Sequence, residues 1–228
     1  MGIKKNIFTS KKNNSQADQE GGETPYLFVG LGNPGVKYAR TWHNCGFIAI
    51  DYLANHYGIK VNKVRFKGVY GQGQIEGRKV YLLKPETYMN NSGESVREAM
   101  DYFKIPLDHV VIFYDDVDFN VGQMRIREKG GPGTHNGMKS VVQHVGGNTF
   151  LRFRIGIGPQ PKEQDIISYV LAAIPDQAKP ALEEVMKRIV EAVSYLVTSD
   201  IQMAMNRINI NNNNNHNGKA KPQAEDEA

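Results

Sequence analysis

The residues that could do chemistry are mostly neutral amides, imidazoles and carboxylates, and they recur at one kind of place. Asn33 follows the apolar run Tyr26–Leu31. His43 and Asn44 precede a helical pattern. Asn90 lies in PETYMNNSG, Asp115 and Asp116 end the run VVIFY, and His135 and Asn136 follow EKGGPGT and open another helical pattern. In α/β sheets such strand ends lie along one rim, where ligands bind. An imidazole beside a carboxylate can take a proton from water, and side-chain amides can hold peptide groups or donate to an oxyanion. The set resembles a hydrolytic site without metal. Only one cysteine, Cys45, is present and no His-Glu-x-x-His spacing occurs, so zinc has no signature here.

Ordinary roles compete for the same residues. Asn44 and Asn136 fit helix N-caps, and Asn44 reads as a cap rather than a chemical group. Asp116 and Asp118 read as solvated loop acids, His109 and His144 as ordinary surface or core histidines, and Asn90 as turn chemistry. The stretch YLFVGLGNPG holds Gly30-x-Gly32-x-x-Gly35, on paper a dinucleotide fingerprint. In that fold the helix opens inside the motif and its N-terminus meets the pyrophosphate. Here Pro34 interrupts, VKYARTWHN intervenes, and the acid at about the required spacing of ~20 residues, Asp51, falls inside an amphipathic pattern. Asn33-Pro34-Gly35 therefore reads as a turn. EKGGPGTHNG lacks the Lys-Ser/Thr ending of a P-loop.

The positioning elements alternate between two periods. Tyr26–Leu31 and Val110–Tyr114 read as buried strands, and Val69–Ile75 with Lys79–Leu83 as a hairpin around Glu76-Gly77-Arg78. Gly122–Arg127 and Leu151–Ile157 alternate as half-buried strands do, with Arg152 and Arg154 on one face. Helical spacing covers Asn44–Gly58, Ser92–Phe103, Asn136–Val145 and Asp176–Thr198. Strands alternating with helices predict an α/β layer fold with a mixed sheet in a single domain spanning 25–208. Residues 1–24 and the asparagine-rich 209–228 bury too little to offset their ordering entropy, and are expected to be flexible.

The formal net charge is +4 and the pI about 9.0, and both polar ends nearly cancel, so the positive charge belongs to the middle. That balance favours an anionic partner. The lone cysteine fits a reducing compartment, and no apolar run is long enough to span a bilayer.

VGLGNPGVKYARTWHNCGF, KPETYMNNSGESV, YDDVD, GTHNGMKS and RFRIGIG occur in this order over roughly residues 26–208. In these blocks the chain resembles the bacterial-type peptidyl-tRNA hydrolases. The resemblance implies a monomeric, cytoplasmic α/β enzyme with a twisted mixed sheet flanked by helices and no cofactor. It would hydrolyse the ester between a peptide and the 3′-terminal ribose of tRNA. Position by position it implies His43 as the catalytic base, Asp115 as its partner acid, and Asn33, Asn90 and Asn136 as active-site amides. It further implies that Tyr38, Tyr88 and Met89 line the cleft for the peptide and 3′ end, and that Arg127 and Arg154 bind the tRNA 5′ end. Trp42 stands where the family usually has arginine, Thr134 where it has glycine, and Arg127 where it has lysine. A non-catalytic RNA-binding relative is the rival, and the intact His43, Asp115, Asn33, Asn90 and Asn136 favour the enzyme.

Overall fold

The computed structural model describes residues 23–199 and 201–214. Most of the two polar ends therefore lies outside the described residues. At the centre is β1 (Tyr26–Gly30), flanked on both sides by parallel partners, β4 (Arg78–Pro85) and β5 (Val110–Asp116). Beyond β5 lie parallel β7 (Leu151–Gly156) and antiparallel β6 (Met124–Arg127). Beyond β4 lie β3 (Gly68–Ile75) and β2 (Lys63–Arg65), each antiparallel to its neighbour, giving a seven-stranded mixed sheet in the order β2-β3-β4-β1-β5-β7-β6.

The apolar run of β5 is buried along its whole length, as a central strand covered on both faces must be. On one face, α1 (Cys45–His56), α5 (Lys179–Thr198) and α6 (Ile201–Asn214) pack around Phe28, Phe113 and Phe153. On the other, α2 (Ser92–Phe103) and α3 (Asn136–Val145) pack around Val29, Leu83 and Ile112. The hairpin forms where expected. Glu76 and Gly77 join β3 to β4 with φ of 48° and 80°, the left-handed pair that matches the twist of the flanking strands.

Two expectations are corrected. The strand β7 is not half-buried: it is covered on both faces, and Arg152 is 2% exposed. The tail does not begin at residue 209, because α6 runs on to Asn214. Asn209 accepts from the Ile126 N–H at 3.0 Å and donates to the Ile126 carbonyl at 3.2 Å. Its amide thus completes the open edge of β6, a place where unpaired backbone groups would otherwise remain.

The glycines after β1 explain how the first helix is placed. A Cβ on Gly30 would lie 2.1 Å from the Gly46 carbonyl oxygen, and one on Gly46 would lie 2.3 Å from the Phe113 carbonyl oxygen. The start of α1 therefore rests directly on the backbones of β1 and β5. This contact brings the segment before α1, with His43 and Asn44, over the end of β5.

Candidate active site

The C-terminal ends of β1, β4, β5 and β7 open onto a cleft of about 560 Å³. All the expected site residues except Tyr38 line it: Asn33, His43, Tyr88, Met89, Asn90, Asp115, Arg127, Asn136 and Arg154. Tyr38 sits in the 3-10 turn Val36–Tyr38, half-buried, with the Lys37 ammonium 4.6 Å from its ring.

Asp115 ends β5 and is 3% exposed. Both its oxygens lie 3.0 Å from His43 Nδ1, and Oδ1 lies 3.2 Å from His135 Nε2. The second histidine caps α3: His135 Nδ1 accepts the Met138 N–H at 3.2 Å. A ring nitrogen that accepts carries no proton, so the His135 proton is on Nε2 and is donated to Asp115. His43 likewise donates from Nδ1 to the carboxylate, which leaves Nε2 as its accepting atom. Burial alone would raise the Asp115 pKa. Electrostatic attraction to the His43 and His135 rings and the hydrogen bonds from both outweigh burial and hold it well below the ordinary carboxylate range.

The sequence assigns His135 no role. The signal was there: a His-Asn pair precedes or opens a helix twice, at 43–44 and at 135–136. One ring nitrogen of His43, one of His135 and one carboxylate oxygen of Asp115 lie within 4.8 Å of one another, a spacing a cation could bridge. With its Nδ1 lone pair committed to α3, however, neutral His135 has no lone pair on Nε2 for a metal.

Asn44 is not the cap it was expected to be. It makes no side-chain bond to the first turn of α1. Instead its Oδ1 accepts from the Asn33 N–H and its Nδ2 donates to the Asn33 carbonyl, both at 2.9 Å. Asn33 in turn accepts the Met89 N–H on its own Oδ1 at 2.8 Å. Asn90 follows Met89 in the 3-10 turn Met89–Asn91 and is exposed to the cleft. Asn136 is the first residue of α3 rather than its cap; it too is exposed.

Asp116 and Asp118 are not simply solvated acids. Asp116 is buried and accepts from Arg154 Nε, and Asp118 accepts from Arg154 Nη2 at 2.9 Å. Asp116 also accepts the Asp118 N–H at 3.0 Å, which folds the loop onto the arginine. Arg152 donates to the Gly131 and Asn148 carbonyls, at 3.0 Å each, and so ties down the glycine-rich loop. Arg127, at the end of β6, is exposed on the cleft wall.

An apolar wall went unforeseen. The short helix α4 (Ile166–Val170) presents Ile167, 64% exposed, to the cleft that Tyr88, 57% exposed, also lines. Its single turn, in a polar stretch, was too brief to register as helical spacing. The following segment pairs with the chain just before His43: Trp42 N–H donates to the Ala172 carbonyl at 3.2 Å, and Ile174 N–H to the Arg40 carbonyl at 2.8 Å. Trp42 itself is buried in the core and offers the cleft no charge. Thr134 is exposed on the cleft wall.

Comparison with known proteins points to one family. The family model described as peptidyl-tRNA hydrolase matches residues 27–217. The peptidyl-tRNA hydrolase of Clostridium perfringens is 46% identical over 183 residues, covering 80% of this chain and 96% of that protein. That of Lachnospira eligens is 45% identical over 184 residues, covering 81% and 99%. The crystal structure of peptidyl-tRNA hydrolase from Acinetobacter baumannii superposes with a TM-score of 0.77 at 39% identity, covering 81% of this chain and 94% of that one. The matched stretch runs from the first residues of β1 beyond the end of α6, so it takes in every strand and helix that places the cleft. The chain belongs to the peptidyl-tRNA hydrolase family.

Proposed function

We propose that the chain is a carboxylic ester hydrolase that cleaves the bond between a peptide, or an N-blocked aminoacyl group, and the 3′-terminal ribose of tRNA. Family membership supports the activity, and the tautomer of the His43–Asp115–His135 cluster supports the chemistry. Asp115 accepts the Nδ1 proton, so His43 Nε2 takes a proton from water as the water oxygen attacks the ester carbonyl. Asp115 stabilises the imidazolium that forms. The tetrahedral oxyanion is held by side-chain amides among Asn33, Asn90 and Asn136, where one donor is worth about 3–4 kcal/mol. Collapse expels the ribose oxygen, which takes the proton back from His43, and the free peptide carboxylate leaves.

The walls suit the two halves of this substrate. Ile166, Ile167 and Tyr88 offer apolar area for peptide side chains, with Met89 between the amides. Arg127 and Lys129, also on the cleft lining, offer positive charge to phosphates. The enzyme acts as a cytoplasmic monomer without metal or cofactor. No helix among the described residues is long and apolar enough to cross a membrane. Release of a labelled N-acetylaminoacyl group from tRNA by the full chain, in chelator and without nucleotide, tests the proposal. Wild type turns over, and folded His43→Ala loses roughly a thousandfold. An inactive, well-folded wild type would sink the enzyme.

A further inference from the structure

We infer that Asn44 is a positioning residue for this hydrolysis: its side chain sets the spacing between His43 and Asn33, and so aims the Asn33 amide at the ester under attack. The inference rests on the proposed roles of His43 and Asn33.

Asn44 is adjacent to His43 in the chain and 2% exposed, so it does not itself meet substrate. Its amide pairs with the backbone of Asn33 at two points, 2.9 Å each, in the way one peptide group pairs with another in a sheet. Two bonds fix both distance and orientation, which a single bond does not. The Asn33 backbone therefore cannot rotate relative to the segment that carries His43.

The next bond converts this into side-chain orientation. Asn33 Oδ1 accepts the Met89 N–H at 2.8 Å, so Nδ2 is the end of the amide left to donate. Asn33 is 8% exposed and lines the cleft. The chain of bonds Asn44–Asn33–Met89 thus joins three separate segments: the turn after β1, the residues before α1 and the turn after β4. These carry Asn33, His43 and Asn90 respectively. A helix cap would have used Asn44 within its own segment. The observed partner, Asn33, lies 11 residues away, where the pairing couples the base to an amide donor.

The consequence is a loss of rate rather than of binding. Near-attack geometry is sensitive to shifts of about 1 Å, which can cost about a hundredfold. Removing the Asn44 amide frees the Asn33 turn while leaving the cleft walls and Arg127 in place.

The test is a double-mutant cycle on N-acetylaminoacyl-tRNA hydrolysis with the full chain, comparing Asn44→Ala, Asn33→Ala and the pair. Asn44→Ala should lower kcat about 10- to 100-fold with KM within about threefold, and adding it to Asn33→Ala should cost little more. Independent, multiplying losses would overturn the inference, as would a raised KM with kcat unchanged. Should the alanine variant fold poorly, Asn44→Ser takes its place in the cycle. In either variant the downfield Nδ1 proton resonance of His43 should persist, showing the Asp115 pair intact; its loss would mean that Asn44 does not act through Asn33. If His43→Ala retains full activity, the active-site assignment fails. If His43→Ala is inactive and Asn44→Ala is not impaired, only the role of Asn44 fails.

Discussion

Replacing Asp115 by asparagine should reverse the protonation of His43 without changing the fold. The carboxylate accepts two N–H groups, from His43 Nδ1 at 3.0 Å and from His135 Nε2 at 3.2 Å. A carboxamide of the same shape has one accepting atom and one donating end. His135 cannot adapt, because its Nδ1 holds the Met138 N–H and its proton must stay on Nε2. The substituted carboxamide would therefore present Oδ1 to His135 and Nδ2 to His43. Two donors would then face each other across 3.0 Å unless the His43 proton moves to Nε2. That tautomer removes the lone pair that, in the proposed mechanism, takes the proton from water.

The magnitude follows from the analogous Asp→Asn change in serine-protease triads, where the wrong tautomer costs about 10⁴ in kcat. This is about 5.4 kcal/mol of transition-state stabilisation at ~1.36 kcal/mol per decade. Single-turnover cleavage of N-acetylaminoacyl-tRNA measures the loss, and ¹⁵N NMR of the imidazoles measures the tautomer. A second substitution isolates the cause. His135→Asn keeps a good helix cap but is too short to hold residue 115. In Asp115→Asn/His135→Asn the amide is free to turn Oδ1 toward His43, and at least about tenfold of the lost rate should return, small against the ~10⁴ loss. A single Asp115→Asn variant within tenfold of wild type, a His43 that keeps its Nδ1 proton in it, or a double variant no faster than the single would each refute the tautomer argument.

Three further outcomes follow from the same geometry. Arg127→Ala should weaken tRNA binding and lower the salt slope by about 1 with the melting temperature unchanged, whereas Arg154→Ala should also destabilise the fold by about 3 kcal/mol because Asp116 is left buried without its guanidinium; melting curves and salt titrations separate the two, and equal stability would contradict the Asp116 pairing. Asp115 stays ionised in the native state while its unfolded form protonates near about pH 3.9, so its contribution is complete above that pH and declines as acid is added; the stability gap between wild type and Asp115→Asn should narrow below about pH 4 in urea unfolding, and a gap that widens would reverse the assignment. Gly46→Ala should cost about 1–3 kcal/mol or more, because its Cβ would lie 2.3 Å from the Phe113 carbonyl oxygen; denaturant unfolding measures it, and a neutral result would mean that α1 does not rest on β5.

Much of this site was legible in the sequence because strand ends and helix starts are local features. The runs before Asn33 and Asp115 and the helical spacing after His43, Ser92 and His135 place those residues on one rim without any knowledge of long-range contacts. What stayed hidden depends on partners far away in the chain. Asp116 reads as a solvated acid until Arg154, 38 residues later, is brought to it by the parallel pairing of β5 and β7. Asn209 reads as the start of a low-complexity run until β6, 83 residues earlier, offers it an open edge.

Asn44 shows the difference most sharply, because its local and distant roles predict different chemistry for one residue type. An asparagine before a helix is well described as a cap, and propensity alone favours that role. At this position the first turn of α1 lies against bare backbone, since neither Gly30 nor Gly46 has a side chain to hold the elements apart. The close approach brings the Asn33 peptide within reach, and pairing with both its N–H and its carbonyl satisfies two buried groups where a cap bond would satisfy one. Gly30, the first glycine of the cofactor-like motif, together with Gly46 outside it, thus creates the contact that captures Asn44. In this chain the close packing at Gly30 and Gly46 serves the juxtaposition of His43 with Asn33.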